Sequence, residues 1–497
     1  MKRFPETFDV FVLGAGPAGL CAAIRLLDMG YTVGMLEQEE FPRSQIGESL
    51  SPGIRNIFDY LNAGHLLEDA LYLNTISAKV IWENKGYIYE RPGQNNGGTI
   101  VDRSKLDQEL LQFSVSKGLY LIQPGKLKQS ISSQNGWTLD IVNNSSEIRI
   151  NSKIVLDGRG RKGTLLNERV PIAPPAIAVW THIDNNAVFN EAFVEAVDDG
   201  WLWGSPVCGN RYRIMAFTDT VQFKKSELHL LDLMRKTELF APFVNQLKDN
   251  AVESCSVTSF VNQTPWDNQF IKIGEAAFTL DPLSSTGVEK AMRFSLQVAI
   301  AINTYLKDPD SEHPKNFYEE KLIESVVNHA HWTADYYQNA WACHDKTEFW
   351  IKRINFRLDI SNHKTAFTNK LEKEFNTEKS IFEHKQTAPI PVDYILHQLW
   401  NEEIVVSPNI TFKSVYAIDN DCIVIKQALI HPNLERPLVY LDQVELFPLL
   451  KGMNSKVVSD IVIYLNKFMT IEKSKKTVIF LLSNQLLTVA QNSYSLR

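Results

Sequence analysis

Hydrophobic and polar positions at the start of the chain follow a strand–helix–strand order. Residues 8–13 form a short and largely apolar run, which is typical of a buried parallel strand. Residues 20–29 place apolar side chains on one helical face, and Gly30 marks the end of that helix. A second apolar run at 32–36 ends on Glu37. This order predicts a βαβ unit.

The middle of the chain predicts a sheet followed by helices. Between 172 and 261, short apolar and aromatic runs predict a sheet that covers a pocket. Aromatic residues recur at helical spacing within 316–343, and the charged segment 372–391 predicts a linker or an exposed hairpin. We therefore expect residues 311–391 to be a helical region and linker.

The remaining residues, 392–497, predict a separate small α+β module. We expect a helix at 444–450, a turn at Gly452, an amphipathic helix across 457–465 and a strand at 478–481. Helix, turn, helix and strand in this order predict a winged-helix-like fold.

The turn after the first strand fits the motif G-x-G-x-x-G, with Gly14, Ala15, Gly16, Pro17, Ala18 and Gly19 in sequence. Gly14 permits a tight turn, Gly16 lets the backbone approach a pyrophosphate, and Gly19 lets the helix pack closely on the strand. The helix N-terminus offers free N–H groups to phosphates. Glu37 lies where a carboxylate accepts hydrogen bonds from ribose hydroxyls. The segment predicts a dinucleotide site and does not separate FAD from NAD.

Two further segments resemble known cofactor-binding motifs. Residues 41–50 contain Pro-Arg followed by Gly-Glu-Ser, and residues 270–277 and 281–292 contain Gly-Glu-Ala-Ala and Asp-Pro-Leu-Ser-Ser-Thr-Gly. With the glycine motif, they resemble FAD-dependent monooxygenases of the para-hydroxybenzoate hydroxylase type, and more closely the flavin-dependent halogenase branch. The resemblance covers residues 8 to about 305 and implies FAD as the cofactor.

The resemblance also implies the fold class, α/β with α+β parts. A discontinuous, Rossmann-like FAD-binding domain would comprise residues 1–171 and 262–310. A β-sheet substrate domain would comprise residues 172–261. The helical region and the C-terminal winged-helix-like module would complete the chain.

The same resemblance implies which residues hold FAD besides the glycine motif and Glu37. Asp281 would bind the ribityl chain, and the backbone of Gly287 and Val288 would meet the isoalloxazine edge at a helix N-terminus. Glu275 stands where Asp is usual and keeps the carboxylate. Asp157 stands at the end of the strand that closes the predicted FAD-binding domain and is a further cofactor-binding candidate. Alternatively, it is a carboxylate in a simple turn. The other cofactor-binding candidates are Arg43, Ser49 and Arg103.

The segment Gly-Trp-Leu-Trp-Gly-Ser-Pro at 200–206 resembles the W-x-W-x-I-P box of the halogenases, which sits beside the flavin. Ser205 replaces the Ile of that box. Trp201 and Trp203 would border the substrate, or would be two strand aromatics that share one face of a sheet. We include Trp203, together with Glu48 beside the flavin, among the catalytic candidates.

Halogenases also use an active-site lysine, and Ser77 aligns with its position. Lys79 lies two residues further along the same side of the predicted strand, and is either the third catalytic candidate or a solvated surface lysine. The second acid of the tryptophan halogenases is replaced by Ser284. Because both halogenation residues are missing by this alignment, the sequence favours hydroxylation.

The resemblance implies an activity. NAD(P)H or a reductase partner would reduce FAD, molecular oxygen would give a C4a-hydroperoxyflavin, and an aromatic ring, an indole, would be hydroxylated. Residues 431–437 and 441–450 resemble flavin monooxygenases that hydroxylate a protein-bound tryptophan during tryptophylquinone biogenesis for quinohemoprotein amine dehydrogenase. A peptide or protein substrate bound through 392–497 would follow. The alternatives are a flavin-dependent tryptophan or indole halogenase, and a non-catalytic flavoprotein or peptide-carrier chaperone.

Composition narrows the possible partners. The 497 residues carry a formal net charge of −7 without a basic block, which argues against nucleic acid. Five widely spaced Cys predict neither disulfides nor zinc, and no acid or Cys cluster accompanies His329, His331 and His344. No apolar run reaches the roughly 18 residues of a membrane span, and the first seven residues do not resemble a secretory signal. We expect a cytoplasmic protein without metal, and the oligomeric state stays open.

Overall fold

The computed structural model describes residues 5–74, 76–92, 98–144, 146–184, 190–220, 229–247, 251–344, 347–377, 389–453 and 456–490. The chain divides into two compact units, Met1–Phe375 and Asn376–Arg497. The predicted linker falls partly outside the described residues, at 378–388.

The first unit is an α/β structure with several sheets. Its strands are β1 (Thr7–Leu13), β2 (Val33–Leu36), β3 (Ser49–Leu50), β4 (Leu73–Asn74), β5 (Ser77–Ile81), β6 (Tyr89–Arg91), β7 (Thr99–Ile100), β8 (Tyr120–Ile122), β9 (Lys126–Ser133), β10 (Gly136–Asn143), β11 (Ser146–Asp157), β12 (Arg169–Pro171), β13 (Ile177–Asp184), β14 (Glu191–Val197), β15 (Gly200–Val207), β16 (Arg211–Thr218), β17 (Glu253–Ser256), β18 (Phe260–Asn262), β19 (Trp266–Asp267), β20 (Phe270–Lys272) and β21 (Phe278–Thr279).

Helices are interspersed with these strands along the sequence of the first unit. They are α1 (Pro17–Asp28), α2 (Ile54–Tyr60), α3 (Arg103–Ser116), α4 (His229–Arg235), α5 (Gly287–Lys307), α6 (His313–Gln338), α7 (Trp341–His344), α8 (Glu348–Ile354) and α9 (Ala366–Asn376). No helix in the described part of the chain is long and apolar enough to span a membrane.

The predicted N-terminal βαβ unit is confirmed. Strand β1 pairs in parallel with both β2 and β11, and the sheet continues in the order β19-β20-β11-β1-β2-β8. Helix α1 begins at Pro17, three residues before the predicted start, because proline is well suited to the first helical position, where its missing N–H is not needed. The buried side chains of β1 explain the apolar run in the sequence.

A second large sheet contains the strands predicted within 172–261 and two strands from elsewhere. Its order is β17-β13-β16-β15-β14-β5-β6, and β5 joins β14 in parallel. We call this the substrate-side sheet. Strands β5 and β6 come from residues 77–91, so the sheet is larger than the predicted segment.

The substrate-side sheet has two buried faces. One face packs against α4 and the 3-10 turn Ala241–Gln246, with Phe193 and Tyr212 among its core side chains. The other, which we call the aromatic face, carries Trp82, Trp180, Trp201 and Phe217 and packs against residues of α6, α7 and α8. Successive residues of a strand alternate between these faces.

The second unit is an α+β structure. Its strands are β22 (Glu403–Val406), β23 (Thr411–Asp419), β24 (Cys422–Ile430), β25 (Tyr440–Leu441), β26 (Val444–Glu445), β27 (Lys456–Val457) and β28 (Leu487–Val489), and its helices are α10 (Val392–Tyr394), α11 (Leu446–Lys451), α12 (Val458–Leu465) and α13 (Ile471–Ser483). Strands β27, β22 and β28 form an antiparallel sheet, and β23 pairs with β24 in a hairpin.

One element predicted in the second unit is wrong. The expected strand at 478–481 lies inside helix α13. Val478, Leu481 and Leu482 are buried together on one helical face, so the short apolar run has a period of three to four residues rather than two. The expected helix, turn and helix at 444–465 correspond to α11 and α12, but α11 begins two residues later than predicted, after β26, and α12 begins one residue later, after β27.

Candidate active site

The glycine loop after β1 is as crowded as the motif predicts. Gly14 has a φ of +94°, and a Cβ there would lie 2.8 Å from the carbonyl oxygen of Gly158. A Cβ on Gly19 would lie 2.2 Å from the carbonyl oxygen of Gly14, so only glycine lets α1 approach the loop this closely. A Cβ on Gly16, in contrast, would meet nothing within 4 Å. The N-terminus of α1, with Pro17 and Ala18 in its first turn, therefore opens onto free space.

Glu37 lies at the end of β2 and supports this loop. Its buried carboxylate accepts hydrogen bonds from the N–H groups of Ala15 at 2.7 Å and Glu39 at 2.9 Å. The carboxylate therefore lies beside the first turn of the dinucleotide motif. The sequence predicted its position, and its bond to Ala15 was not predicted.

Arg103 brings three separate motifs together. Its guanidinium forms two 3.0 Å hydrogen bonds with Asp107 and donates to the carbonyl oxygens of Ile46 and Gly47. Gly47 has a φ of +96°, and a Cβ there would lie 3.2 Å from Nη1 of Arg103 and 3.8 Å from a methyl group of Val288. The loop before β3, the start of α3 and the start of α5 thus meet at one point.

Arg43 lies at the beginning of that loop. Its carbonyl oxygen accepts a 3.0 Å hydrogen bond from the hydroxyl of Ser104, and its guanidinium lies 4.8 Å from the centre of the Phe41 ring. The Nε atom of Arg43 is buried and has no hydrogen-bond partner among the described residues. Ser49 lies in β3, opposite Ile100 of β7.

Asp157 ends β11 next to the glycine loop. It accepts hydrogen bonds of 2.9 and 2.6 Å from the guanidinium of Arg159, and this pairing raises the pKa of Arg159. The neighbouring Gly158 donates its N–H to the carbonyl oxygen of Leu13 at 2.8 Å. The carboxylate of Asp157 is fully buried and is held within the protein rather than at a simple exposed turn.

Asp281 and Gly287 flank the turn that opens α5. The Asp281 carboxylate accepts hydrogen bonds from the N–H of Leu283 at 3.0 Å and from the Tyr337 hydroxyl at 2.9 and 3.0 Å. Desolvation by burial raises the pKa of Asp281. A Cβ on Gly287 would meet nothing within 4 Å, so the N-terminus of α5 also opens onto free space.

These residues fit FAD. Two helices, of 12 and 21 residues, begin at open positions where N–H groups and the positive end of the helix dipole are available to anionic groups. The unpartnered Nε of Arg43 is an additional donor near the loop that Arg103 holds. No group of three or more His, Cys, Asp and Glu side chains in the described ranges could hold a metal ion.

The aromatic face lies against these cofactor segments. Trp201 stacks on Phe217 with ring centres 3.9 Å apart, and both Trp203 and Leu283 pack against the same core. Trp201 and Trp203 therefore share one face of β15, as their spacing predicts. Leu283 belongs to the turn before α5, which connects this face to the segment around Asp281.

Lys79 lies on the other face of the substrate-side sheet. Its neighbours in β5, Ala78 and Val80, pack with the aromatic face, so the Lys79 side chain projects away from it. The Lys79 ammonium forms a 2.7 Å ion pair with Glu191, which raises the pKa of Lys79. The Lys79 side chain is 29% exposed.

Glu48 belongs to a buried polar chain that the sequence motifs did not reveal. Its carboxylate accepts a 2.5 Å hydrogen bond from Nη1 of Arg213, and Nε of Arg213 donates to Nε2 of His182 at 3.0 Å. Burial, together with the charge of Arg213, lowers the pKa of His182 to about 4. Arg213 and His182 lie on the strands β16 and β13, on the aromatic side. These hydrogen bonds from Glu48 through Arg213 to His182 join the loop before β3 to the substrate-side sheet.

Sequence comparison agrees with this architecture. Residues 9–80 match the family model described as tryptophan halogenase. The chain is 24% identical over 378 residues to the tryptophan 2-halogenase of Chondromyces crocatus, which covers 70% of this chain and 71% of that protein.

Two solved structures resemble nearly the whole chain. The flavin-dependent halogenase CmlS has a TM-score of 0.70 at 20% identity, covering 98% of this chain and 97% of CmlS. The peptidyl tryptophan dihydroxylase QhpG, described as essential for tryptophylquinone cofactor biogenesis, has a TM-score of 0.68 at 18% identity and covers 96% of this chain and 99% of QhpG.

The glycine loop, the two open helix N-termini and these similarities define an FAD-dependent oxidoreductase. Within that class, the fold of the chain is similar to the folds of the flavin-dependent halogenase CmlS and of the peptidyl tryptophan dihydroxylase QhpG.

Proposed function

We propose that this protein is an FAD-dependent monooxygenase that hydroxylates the indole ring of a peptide- or protein-bound tryptophan. The observation that carries the choice of hydroxylation is the placement of Lys79. Its ammonium is paired with Glu191 on the face of β5 opposite Trp201 and Trp203. A lysine there does not line the aromatic face, where an indole would be received.

We assign the domains by the same reasoning. Residues 1–171 and 262–310 bind FAD, 172–261 form the core of the substrate side, 311–391 form the helical region and linker, and 392–497 form the module that receives a polypeptide. The parallel pairing of β11 with β20 supports the discontinuous FAD domain, because it joins its two parts in one sheet.

FAD, reduced by NAD(P)H or by a reductase, would supply oxygen activation when bound. The chain's own residues bind and orient. Gly16 and Gly287 leave the two helix N-termini open to the cofactor's anionic groups, and Arg103 holds the loop at Gly47 against Val288. Glu37, Arg43, Ser49, Asp157 and Asp281 complete the proposed binding segments.

On the substrate side, the aromatic face provides a largely apolar surface that excludes water. Trp203 is only partly buried there and is available to border an indole ring. Glu48 is engaged by Arg213, and we assign this pair the role of fixing the loop before β3 relative to the aromatic face. The similarity to QhpG, whose description names a peptidyl tryptophan, supports a polypeptide substrate.

The second candidate is a flavin-dependent indole halogenase. The match of residues 9–80 to the tryptophan halogenase family and the Trp-x-Trp segment of β15 favour it. Lys79 would then have to reach the substrate from the opposite face of the sheet, after leaving Glu191.

One experiment separates the candidates. The FAD-loaded protein is reduced, mixed with oxygen and tryptophan-containing peptides, with and without bromide, and the products are analysed by mass spectrometry. We expect products that gain oxygen and no halogen, and we expect Lys79→Met to give the same products with FAD still bound.

The matched control is Lys128→Met, which removes a lysine from another exposed strand ion pair, with Glu147. Halogenated product that is lost in Lys79→Met and kept in Lys128→Met would establish the halogenase instead. Bound FAD without turnover of any peptide would support the non-catalytic flavoprotein.

A further inference from the structure

Four aromatic rings form a continuous series on the substrate side of the first unit. The ring of Tyr337 lies 6.3 Å from that of Trp82, Trp82 lies 5.0 Å from Tyr336, and Tyr336 lies 5.5 Å from Trp332, measured between ring centres. These spacings are within the range of rings in direct contact. Trp82 is also tied to this series by a 2.9 Å hydrogen bond from its indole N–H to the carbonyl oxygen of Tyr336.

The series runs from the interior to the surface. Tyr337 and Trp82 are buried, Tyr336 is half-buried, and Trp332 is 45% exposed. Trp332 stacks on Tyr336 and lies at the exposed end of the series. Part of its side chain is in contact with solvent, which can accept a proton.

The interior end of the series carries a proton acceptor. The Tyr337 hydroxyl donates to the Asp281 carboxylate at 2.9 and 3.0 Å. A phenol that loses an electron also loses its proton, because the oxidised phenol is a strong acid, and a carboxylate at hydrogen-bond distance receives it. Desolvation raises the pKa of Asp281, which makes its carboxylate a better acceptor than an exposed one.

We propose that Tyr337, Trp82, Tyr336 and Trp332 conduct oxidising equivalents from the flavin side of the site to the protein surface. This inference rests on the proposed function in one respect, since it requires FAD to bind beside the segment of Asp281. The conduit protects the interior when a one-electron oxidant forms in flavin–oxygen chemistry without reaching the substrate.

The electron balance is simple. The oxidant, such as a hydroxyl radical, takes one electron from Tyr337, whose proton moves to Asp281. Tyr337 recovers an electron from Trp82 and its proton from Asp281. Trp82 then recovers an electron from Tyr336, whose phenol proton moves to water. Tyr336 in turn recovers an electron from Trp332 and a proton from water. Trp332 loses its indole proton to water. The hydroxide ion that forms when the hydroxyl radical is reduced takes up one proton and becomes water. An external thiol then returns one hydrogen atom to Trp332.

The test uses light to create the oxidant. Excited oxidised flavin removes one electron from a nearby ring, and transient absorption then follows the aromatic radicals in the FAD-loaded, full-length protein. We expect a long-lived tryptophan radical that ascorbate quenches from solution. In Trp332→Phe, the long-lived, ascorbate-sensitive signal should be lost, while the flavin is still photoreduced and recombines quickly.

The control is Trp137→Phe, which removes a half-buried tryptophan that contacts Phe270 in the other large sheet. This variant should keep the wild-type signal. Tyr336→Phe interrupts the series of rings at a second position. It removes only a hydroxyl group, so the variant should fold. The lifetime of the tryptophan radical should be shorter in this variant.

Each outcome decides the question. Equal radical lifetimes in wild-type protein and in Trp332→Phe would overturn the conduit while leaving the monooxygenase intact. A protein that binds no FAD would overturn both proposals. The FAD absorbance of the purified protein tests this before the transient-absorption experiment.

Discussion

Glu48 and Arg213 form a buried ion pair that joins the loop before β3 to the substrate-side sheet. Their atoms Oε2 and Nη1 are 2.5 Å apart, and the side chains are only 12% and 7% exposed. The two residues are 165 positions apart in the sequence, and one belongs to a proposed cofactor segment while the other belongs to the aromatic face. The pair fixes the distance between these two parts of the site.

We predict that Arg213→Met destabilises the first unit by about 3 kcal/mol, because it leaves the carboxylate of Glu48 buried without its partner. Adding Glu48→Gln should recover part of this loss, since the uncompensated charge is then gone. Chemical denaturation of the wild-type protein, Arg213→Met and the double variant measures both effects. Arg149→Met, which breaks the exposed pair with Asp140, is the control and should change the unfolding midpoint little.

The glycine loop gives a prediction that separates folding from cofactor binding. Gly19→Ala should destabilise the protein by roughly 2–3 kcal/mol, because its Cβ would overlap the carbonyl oxygen of Gly14. Gly16→Ala should fold with a normal melting temperature but bind FAD more weakly, because its Cβ occupies the open space at α1. Thermal melts and FAD titration are the two measurements. Equal FAD affinity in Gly16→Ala and wild-type protein would argue against a pyrophosphate at this position.

Stability should fall on acidification because of His182. Burial and Arg213 lower its pKa from 6.5 to about 4, so the unfolded chain binds more protons than the folded protein between these values. The contribution of His182 is thus complete above pH 6.5 and is lost as the pH falls toward 4. In His182→Gln, the pH slope of the free energy of unfolding should decrease by about one proton in this window. An unchanged slope would contradict the lowered pKa.

Helix capping should report on the two units separately. Asp102 accepts hydrogen bonds from the N–H groups of Ser104 and Lys105 at the start of α3, and Asp102→Ala should cost the first unit about 1 kcal/mol. Thr470 caps α13 in the second unit through the N–H of Lys473. Thr470→Ala should lower only the second unit's transition in calorimetry. A shift of both transitions by either variant would show that the units unfold together.

Local motifs made much of the cofactor side predictable. The positions of Gly19 and Glu37 follow from contacts within one βαβ unit, so the local sequence contains their context. The close approach of Gly14 to Gly158 joins that unit to the end of β11. The apolar run around Val478 belongs to no motif that would indicate its secondary structure. Over four residues it fits a strand as well as a helix, and only packing against the rest of α13's buried face decides between them.

The substrate side was less predictable because its contacts join distant segments. Arg213, His182 and Tyr337 belong to no motif, and their partners are known only once strands and helices are assembled. The orientation of Lys79 depends on the pairing of β5 with β14, which a strand pattern alone does not define. The same pattern did predict that Trp201 and Trp203 share a face, since that is a property of one strand.

The recruitment of β5 and β6 into the substrate-side sheet has a consequence for biosynthesis. Strand β5 leaves the ribosome before its parallel neighbour β14, and connections between distant strands form slowly. A nascent chain that ends before Glu191 therefore presents β5 without its β14 partner, as a strand edge open to mispairing. Folding of the aromatic face must follow translation of both halves of the first unit, and a fragment limited to residues 172–261 would expose β14 in the same way.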